Sequence, residues 1–96
     1  MYEPKVPPIE GLDEDARFAD LLDALARGVH DSWAQRTMEL GWRFADLRDD
    51  VGKGHPCLVP YEALPESERD MDRCIVRGVL GTLLALGYRI VPPVAK

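Results

Sequence analysis

The sequence predicts a mostly α-helical domain with a minor β component, in which two long antiparallel helices are joined by a long ordered loop. Two amphipathic patterns, over about residues 14–40 and 65–86, predict the helices. The 24 residues from Gly41 to Leu64 exceed an ordinary helix–helix turn and leave room for short strand pieces. A chain of 96 residues supports one hydrophobic core, so residues 1–96 are expected to form a single domain.

Composition and charge limit the classes of partner. The chain is 46% apolar and 30% charged, which is typical of a soluble globular protein. Its net charge of −5, without a run of Lys or Arg, argues against a nucleic-acid polymer or an anionic membrane as the partner. No apolar run approaches the roughly 20 residues of a membrane span, and the first residues lack the features of a signal peptide. Two cysteines are too few for a disulfide framework, so the simplest expectation is a cytoplasmic protein with reduced thiols.

Both ends of the chain are expected to be extended. Residues 1–11 contain Pro4, Pro7 and Pro8, and residues 91–94 repeat the Val-Pro-Pro sequence. Proline favours the polyproline conformation and lacks the amide hydrogen that helices and strands use. These segments are therefore predicted to be Pro-containing tails on the surface.

The first helix is expected from about Glu14 to Leu40. Asp13 suits the N-cap position, because its carboxylate can accept a hydrogen bond from a free amide of the first turn. Apolar residues recur at steps of three and four along one predicted core face: Phe18, Leu22, Leu25, Val29 and Trp33. Gly41 marks the end, since glycine readily adopts the left-handed conformation that closes many helices.

The second helix is expected from about Pro65 to Leu86. Pro65 fits the first helical position, where no amide hydrogen is needed. A predicted core stripe runs through Met71, Ile75, Val79, Leu83 and Leu86, and it is widened by Val76, Leu80 and Leu84. Gly87 repeats the stop signal of the first helix.

The segment between the helices has two unlike halves. Residues 48–53 are mostly charged, whereas residues 57–59 are apolar and lie between two prolines. A solvated linker does not need apolar residues, so this loop is expected to fold back onto the helices, where ordered loops often carry function. Residues 42–44 and 89–91 are candidates for short strands.

Asp72 is the unusual polar residue of the second helix, because its spacing from Ile75 and Val76 continues the apolar stripe. A carboxylate that points toward a core needs a hydrogen-bond donor. The donor is either an arginine or backbone amide of the loop, or else a bound ligand. Both interpretations remain open from the sequence alone.

A patch of side chains on the first helix is the second candidate site. His30, Trp33, Arg36 and Thr37 lie three or four residues apart and share one face. Trp33 suits either a packing role or stacking against a ligand. Arg36 suits either a bound phosphate or carboxylate, or a solvated surface.

Other chemistry is poorly supported, and neither a metal nor a cofactor is expected. Two histidines and two cysteines are present, but without the ligand spacings of structural zinc sites. Asp49 and Asp50 could face a cation, although a salt bridge with Arg48 or Lys53 is the simpler expectation. No nucleophile–base arrangement or phosphate-binding glycine loop is apparent, so the chain is not expected to be an enzyme.

Several short sequences along the chain are similar to those of one known family. They are Pro8-Ile9, Val29-His30-Asp31-Ser32-Trp33-Ala34-Gln35, Gly41-Trp42, Arg48-Asp49-Asp50, Lys53, His55-Pro56-Cys57-Leu58-Val59-Pro60-Tyr61, Leu64-Pro65-Glu66-Ser67-Glu68, Asp72-Arg73 and Leu83-Leu84-Ala85-Leu86-Gly87-Tyr88. On these residues the chain resembles the RyR domain, the repeat unit of ryanodine receptors, which also occurs singly in small bacterial and phage proteins. The resemblance covers about residues 4–91.

The resemblance implies a helix–loop–helix fold and a function. Receptor repeats occur in pairs about an approximate two-fold axis, which implies a homodimer for a chain with one repeat. A receptor pair resembles a nucleotide-binding module that holds adenine between the helix tryptophans, and the matching residue here is Trp33. The family often has a basic residue four positions later, where this chain has Thr37, with Arg36 one place earlier. Asp72 falls on the ligand-facing side.

The leading interpretation is therefore a non-catalytic module that binds an adenine-type nucleotide or derivative as a dimer. Trp33 would stack on the base, and Asp72 would accept a hydrogen bond from the base or the sugar. Arg36 and Arg48 would face the charge of the ligand, with Asp49 at the edge of the site. The alternative is a protein–protein interaction module without a small-molecule ligand, in which the Trp33 patch is covered by a partner.

Overall fold

A computed structural model describes residues 1–93 of the chain. Helix α1 spans Phe18–Glu39, and helix α2 spans Glu66–Ala85. Between them lie strand β1 at Arg43–Phe44, strand β2 at Gly54–His55 and one 3₁₀ turn at Tyr61–Ala63. The predicted mostly helical fold with minor strands is confirmed.

The two helices pack antiparallel. Phe18 and Leu21 at the start of α1 line the same pocket as Leu84 near the end of α2. At the opposite end, Trp33 of α1 and Asp72 of α2 line a common cleft. No helix among residues 1–93 has the length and apolar character needed to cross a membrane.

The predicted start of the first helix at Glu14, with Asp13 as its N-cap, is wrong. Residues 10–17 form successive turns, with the Asp15 amide donating to Leu12 O at 3.2 Å and the Phe18 amide donating to Asp15 O at 3.0 Å. The Asp15 carboxylate accepts the Arg17 amide at 2.8 Å and also pairs with its guanidinium. These local bonds replace the expected cap, and α1 begins only at Phe18.

The predicted core face of α1 is confirmed in part, since Leu22 is in the core and Phe18 and Val29 pack against it. The buried residues of α1 are Leu22, Ala26 and His30, at steps of four, whereas Leu25 is exposed. Ala26 is completely buried, and a small residue at the centre of the contact lets neighbouring elements approach closely. The buried cluster consists of Leu22, Ala26, Tyr61, Leu64, Val76 and Leu80.

The predicted stripe of α2 is only half correct. Val76 and Leu80 are buried in the core. The apolar residues on the neighbouring face are exposed: Met71, Ile75, Val79 and Leu86. Pro65 is the N-cap residue of α2, one position before the expected place.

The apolar half of the connecting loop folds onto both helices, as predicted. Leu58, Tyr61 and Leu64 are buried, and Cys57 and Val59 pack against the core. The Tyr61 hydroxyl donates to Asp23 Oδ1 at 3.0 Å, which ties the loop to α1. Burial, reinforced by Asp23, raises the pKa of Tyr61.

The strands pair within the loop. β1 runs parallel to β2, with Arg43 opposite Gly54 and Phe44 opposite His55. The strand predicted over 42–44 is thus confirmed in Arg43–Phe44, but the one predicted over 89–91 is wrong. The pairing requires a glycine at position 54, because any Cβ there would come within 2.6 Å of the Ala45 Cβ.

Both helices end as predicted, at glycines with positive φ. Gly41 has φ 97° and Gly87 has φ 93°. The Gly41 amide donates to Met38 O at 2.9 Å, and the Trp42 amide donates to Thr37 O at 3.2 Å. This pair of bonds is the Schellman arrangement, which satisfies carbonyls left free at a helix end.

The terminal segments have neither helix nor strand, over residues 1–9 and 88–93. The N-terminal one crosses α2, where the Pro7 carbonyl oxygen lies against Gly81 and Ile9 reaches the core. Val94, the last residue of the predicted C-terminal tail, lies outside the described residues.

Candidate ligand-binding cleft

A cleft with a volume of about 220 Å³ lies where the end of α1, the loop and the start of α2 meet. We call it the Trp33 cleft. Its lining residues are His30 and Trp33 of α1, His55, Cys57 and Leu64 of the loop region, and Glu68 and Asp72 of α2. Glu68 and Asp72 are four residues apart, so that both carboxylates lie on one helical face.

The Trp33 indole is positioned by two imidazole rings. It contacts the His55 ring edge to face, with centroids 5.0 Å apart, and the His30 ring at 5.7 Å. Trp33 is only partly buried, so its indole presents aromatic surface to the cleft although the two imidazole rings hold it in place. A ring held in this way loses little conformational entropy when a flat ligand stacks on it.

The two histidines have opposite hydrogen-bonding roles. His30 is buried, and its Nε2 lies 2.6 Å from the Val59 carbonyl oxygen; since a carbonyl only accepts, Nε2 carries the hydrogen. His55 Nδ1 accepts the Cys57 amide hydrogen at 3.0 Å, which places the hydrogen of the neutral His55 ring on Nε2. The bond of His30 fixes the loop to α1, whereas the bond of His55 stabilises a turn within the loop.

Asp72 lies in the cleft without a hydrogen-bond donor from the protein. Within residues 1–93, neither a side chain nor a backbone amide donates a hydrogen bond to its carboxylate, and the same holds for the carboxylate of Glu68. None of the buried side-chain oxygens of the described residues lacks a partner, so both carboxylates reach solvent. Desolvation by burial raises the pKa of Asp72, with His30 opposing the shift and Glu68 adding to it. Of the two interpretations left open by the sequence, the described residues supply no arginine or amide donor, and the carboxylate is available to a ligand.

The family model of the RyR domain matches residues 2–92, nearly the whole chain. The chain belongs to the RyR domain family. The resemblance found in the sequence is confirmed. Its most distinctive segment, His55 to Tyr61, contributes residues both to the cleft and to the core. His55 and Cys57 line the Trp33 cleft, whereas Leu58 and Tyr61 are buried beneath it in the core.

Cys57 contributes to the shape of the cleft and has the character of a neutral thiol. Burial raises its pKa, and the nearby carboxylates of Glu68 and Asp72 raise it further. A thiol with a raised pKa carries little thiolate near neutral pH and is a weak nucleophile.

The structure brings Trp33 and Asp72 together but places the other predicted site residues outside the cleft lining. Arg36 pairs with Glu39 at 3.3 Å on the surface of α1. Thr37 serves the helix end, where its carbonyl accepts the amides of Leu40 and Trp42.

The two predicted residues of the loop are also engaged elsewhere. Arg48 pairs with Asp50 at 2.7 Å and lies over the Trp42 ring. The Asp49 carboxylate accepts the amides of Val51 and Gly52 at 3.1 and 3.0 Å and so holds the charged turn of the loop. The Arg48–Asp50 pair agrees with the salt bridge considered for this acidic run.

The lining of the cleft is acidic, with two carboxylates and neither lysine nor arginine. Its field therefore favours a ligand surface with hydrogen-bond donors or positive charge and repels a phosphate. Among residues 1–93, no group of three His, Cys, Asp or Glu side chains is arranged to hold a metal ion. Sequence reasoning missed the cleft roles of His55, Cys57 and Glu68; the spacing of Glu68 four residues before Asp72 was the available signal.

Proposed function

We propose that this RyR domain is a non-catalytic, cytoplasmic module that binds an adenine-type nucleotide or derivative and acts as a homodimer. The observation that carries the proposal is the unpartnered Asp72 carboxylate, which faces the same cleft as the Trp33 indole. A flat base with an exocyclic amino group matches this pair, because it offers a π-face to the indole and a hydrogen-bond donor to the carboxylate.

The size and charge of the cleft support base recognition over phosphate recognition. A volume of about 220 Å³ lies below the roughly 300–1,000 Å³ of sites that enclose a whole drug-sized ligand. The base would occupy the cleft, while sugar and phosphates would extend outward, away from Glu68 and Asp72. The raised pKa of the Cys57 thiol supports a binding role without covalent chemistry.

Arg36 and Arg48 remain candidates for phosphate contacts outside the cleft. Each belongs to an exposed ion pair, with Glu39 and Asp50 respectively. Exposed pairs of this kind contribute at most about 1 kcal/mol, so a phosphate can replace the carboxylate partner at little cost. Binding of the base at Trp33 would then be strengthened by either guanidinium.

Calorimetric titration of the purified domain tests the proposal, with adenosine, AMP, ATP and ADP-ribose as probes. We expect Trp33→Ala to abolish binding and Asp72→Ala to weaken it by about tenfold or more, the loss of a charge-assisted hydrogen bond. Inosine, which has an oxo group where adenosine has the amino donor, should bind less well than adenosine. Tyr88→Ala is the control, because Tyr88 is an exposed aromatic residue that does not line the cleft.

Absence of heat change with every probe at millimolar concentration would overturn the proposal. Equal affinity of adenosine and inosine would remove the role given to Asp72.

A protein–protein interaction module is the second candidate, and the exposed apolar side chains of α2 favour it. For that candidate, substitution at Trp33 would change assembly, measured as mass by light scattering, without any nucleotide effect.

A further inference from the structure

The negative charge of the Trp33 cleft is not neutralised by the described part of the protein. Its lining contains the carboxylates of Glu68 and Asp72 but neither lysine nor arginine. Among residues 1–93, neither carboxylate belongs to a salt bridge. A ligand that enters the cleft therefore meets two negative charges without a compensating positive charge in the lining.

The arginines nearest to these carboxylates along α2 pair with a different acid. Arg69 donates to the Glu66 carboxylate at 2.9 Å, and Arg73 pairs with the same carboxylate. Both guanidiniums lower the pKa of Glu66. Because Glu66 holds both arginines, Glu68 and Asp72 are left to act on the cleft.

Two groups of the cleft respond to this negative charge. Burial raises the pKa of the Cys57 thiol, and the carboxylates of Glu68 and Asp72 raise it further. Burial also raises the pKa of Asp72, with the charge of His30 opposing the rise and Glu68 adding to it. A field that disfavours further negative charge favours a positively charged group at the same place.

The two carboxylates lie at different depths. Asp72 is half-buried, whereas Glu68, one helical turn earlier, is exposed. The volume of about 220 Å³ holds the base of the proposed ligand, which stacks on Trp33 and donates its amino hydrogen to Asp72. The group attached to the sugar would then lie outside, on the side of Glu68.

We infer that the adenine derivative recognised by this cleft is a phosphate-free adenosine that carries a positive charge on its sugar, as an ammonium or sulfonium group, and that Glu68 pairs with this charge. The inference rests on the proposed function, because it narrows the class of adenine derivative and keeps the recognition of the base. Glu68 is then the residue that selects among adenosine derivatives by their charge.

A phosphate in the same position would be repelled by both carboxylates of the cleft. It would have to reach Arg36 or Arg48, each of which already pairs with a carboxylate outside the cleft. The inference therefore makes the opposite prediction to a phosphate-binding site: a negative charge on the sugar weakens binding, and a positive charge strengthens it.

Three probes with the same base and nearly the same sugar test this prediction by calorimetric titration of the purified domain at low ionic strength. They are 5′-amino-5′-deoxyadenosine, which is a cation at neutral pH, neutral adenosine, and AMP, which is an anion. We expect affinity to fall in this order, with the amine binding about fivefold more tightly than adenosine, the contribution of one exposed ion pair. The difference should shrink at high salt, because salt screens exposed charges.

Glu68→Gln tests the residue, since it keeps the shape of the side chain and removes its charge. The ratio of the affinities for the amine and for adenosine should fall toward one in this variant. Glu14→Gln is the matched control, because it removes the same charge from an exposed position outside the cleft, and it should keep the wild-type ratio. Circular dichroism must show equal helix content in the three proteins. If Glu68→Gln does not fold, the salt dependence of the wild type decides the question.

The outcomes separate this inference from the proposed function. If adenosine binds but the amine binds no more tightly, or if AMP binds more tightly than adenosine, the inference is overturned and recognition of the base stands. A wild-type ratio retained in Glu68→Gln would also overturn it. If none of the three probes binds at millimolar concentration, the proposed function itself fails.

Discussion

His30 Nε2 lies 2.6 Å from the carbonyl oxygen of Val59, so a buried imidazole of α1 holds the apolar half of the connecting loop. His30 is the buried polar residue of the described core. The same ring contacts both Trp33 and Tyr61. One side chain therefore joins the core to the wall of the candidate site.

His30→Ala should lower the free energy of unfolding by about 2–4 kcal/mol, because it leaves the Val59 carbonyl without its partner and removes a buried ring. Urea denaturation monitored by circular dichroism measures the effect. Asp31→Ala is the control at the neighbouring exposed position and should change stability by less than about 0.5 kcal/mol. A similar loss in both variants would show that the bond to Val59 contributes little.

The sequence predicted the helices well because their signals are local. Periodic apolar residues and the glycines at 41 and 87 act within one or two turns. The start of α1 was wrong because Asp15, which suits a helix N-terminus, pairs instead with Arg17. The strand partner was missed because the pairing of Arg43 with Gly54 depends on how the whole loop closes.

The buried face of α2 could not be decided from its own sequence. Val76 and Val79 are equally apolar, yet Val76 is buried and Val79 is exposed. Only the position of α1 and the loop selects between the two faces. The candidate site was likewise predictable only in part. Helical spacing indicated Trp33 and Asp72, whereas the position of His55 in the cleft depends on how the loop folds.

Gly81→Ala should release the N-terminal segment, because a Cβ there would overlap the Pro7 carbonyl. Gly78→Ala is the matched control on the same helix, since its nearest neighbour would be the Val6 side chain at 3.8 Å. Alanine favours a helix over glycine by about 1 kcal/mol, so Gly78→Ala should be stabilising and Gly81→Ala should not.

Urea denaturation and the rate of tryptic cleavage after Lys5 measure these effects. We expect faster cleavage for Gly81→Ala than for the wild type, and an unchanged or slower rate for Gly78→Ala. Stabilisation of equal size in both variants, with unchanged cleavage, would mean that the contact between Pro7 and Gly81 does not hold the segment.

Asp72→Asn should stabilise the free domain at neutral pH while weakening nucleotide binding. Burial raises the pKa of Asp72 in the folded chain above the ordinary 3.8, with the nearby charges of His30 and Glu68 acting in opposite directions. As pH rises between these two values, the unfolded chain loses its proton first and binds fewer protons than the folded chain. Stability therefore falls as pH rises through this window, and the asparagine variant lacks that loss.

The measurement is the urea midpoint of both proteins at about pH 3 and about pH 7, on either side of the window expected for a moderately raised carboxyl pKa. The advantage of Asp72→Asn over the wild type should be larger at the higher pH. Asp70→Asn, on the same helix with its carboxylate largely exposed, should show no such pH-dependent gain. An advantage for Asp72→Asn that is equal at both pH values would contradict the desolvation of Asp72. A gain in stability that accompanies weaker adenosine binding would mean that Asp72 is retained for the ligand at the expense of the fold, as expected for a carboxylate without a partner in a binding cleft.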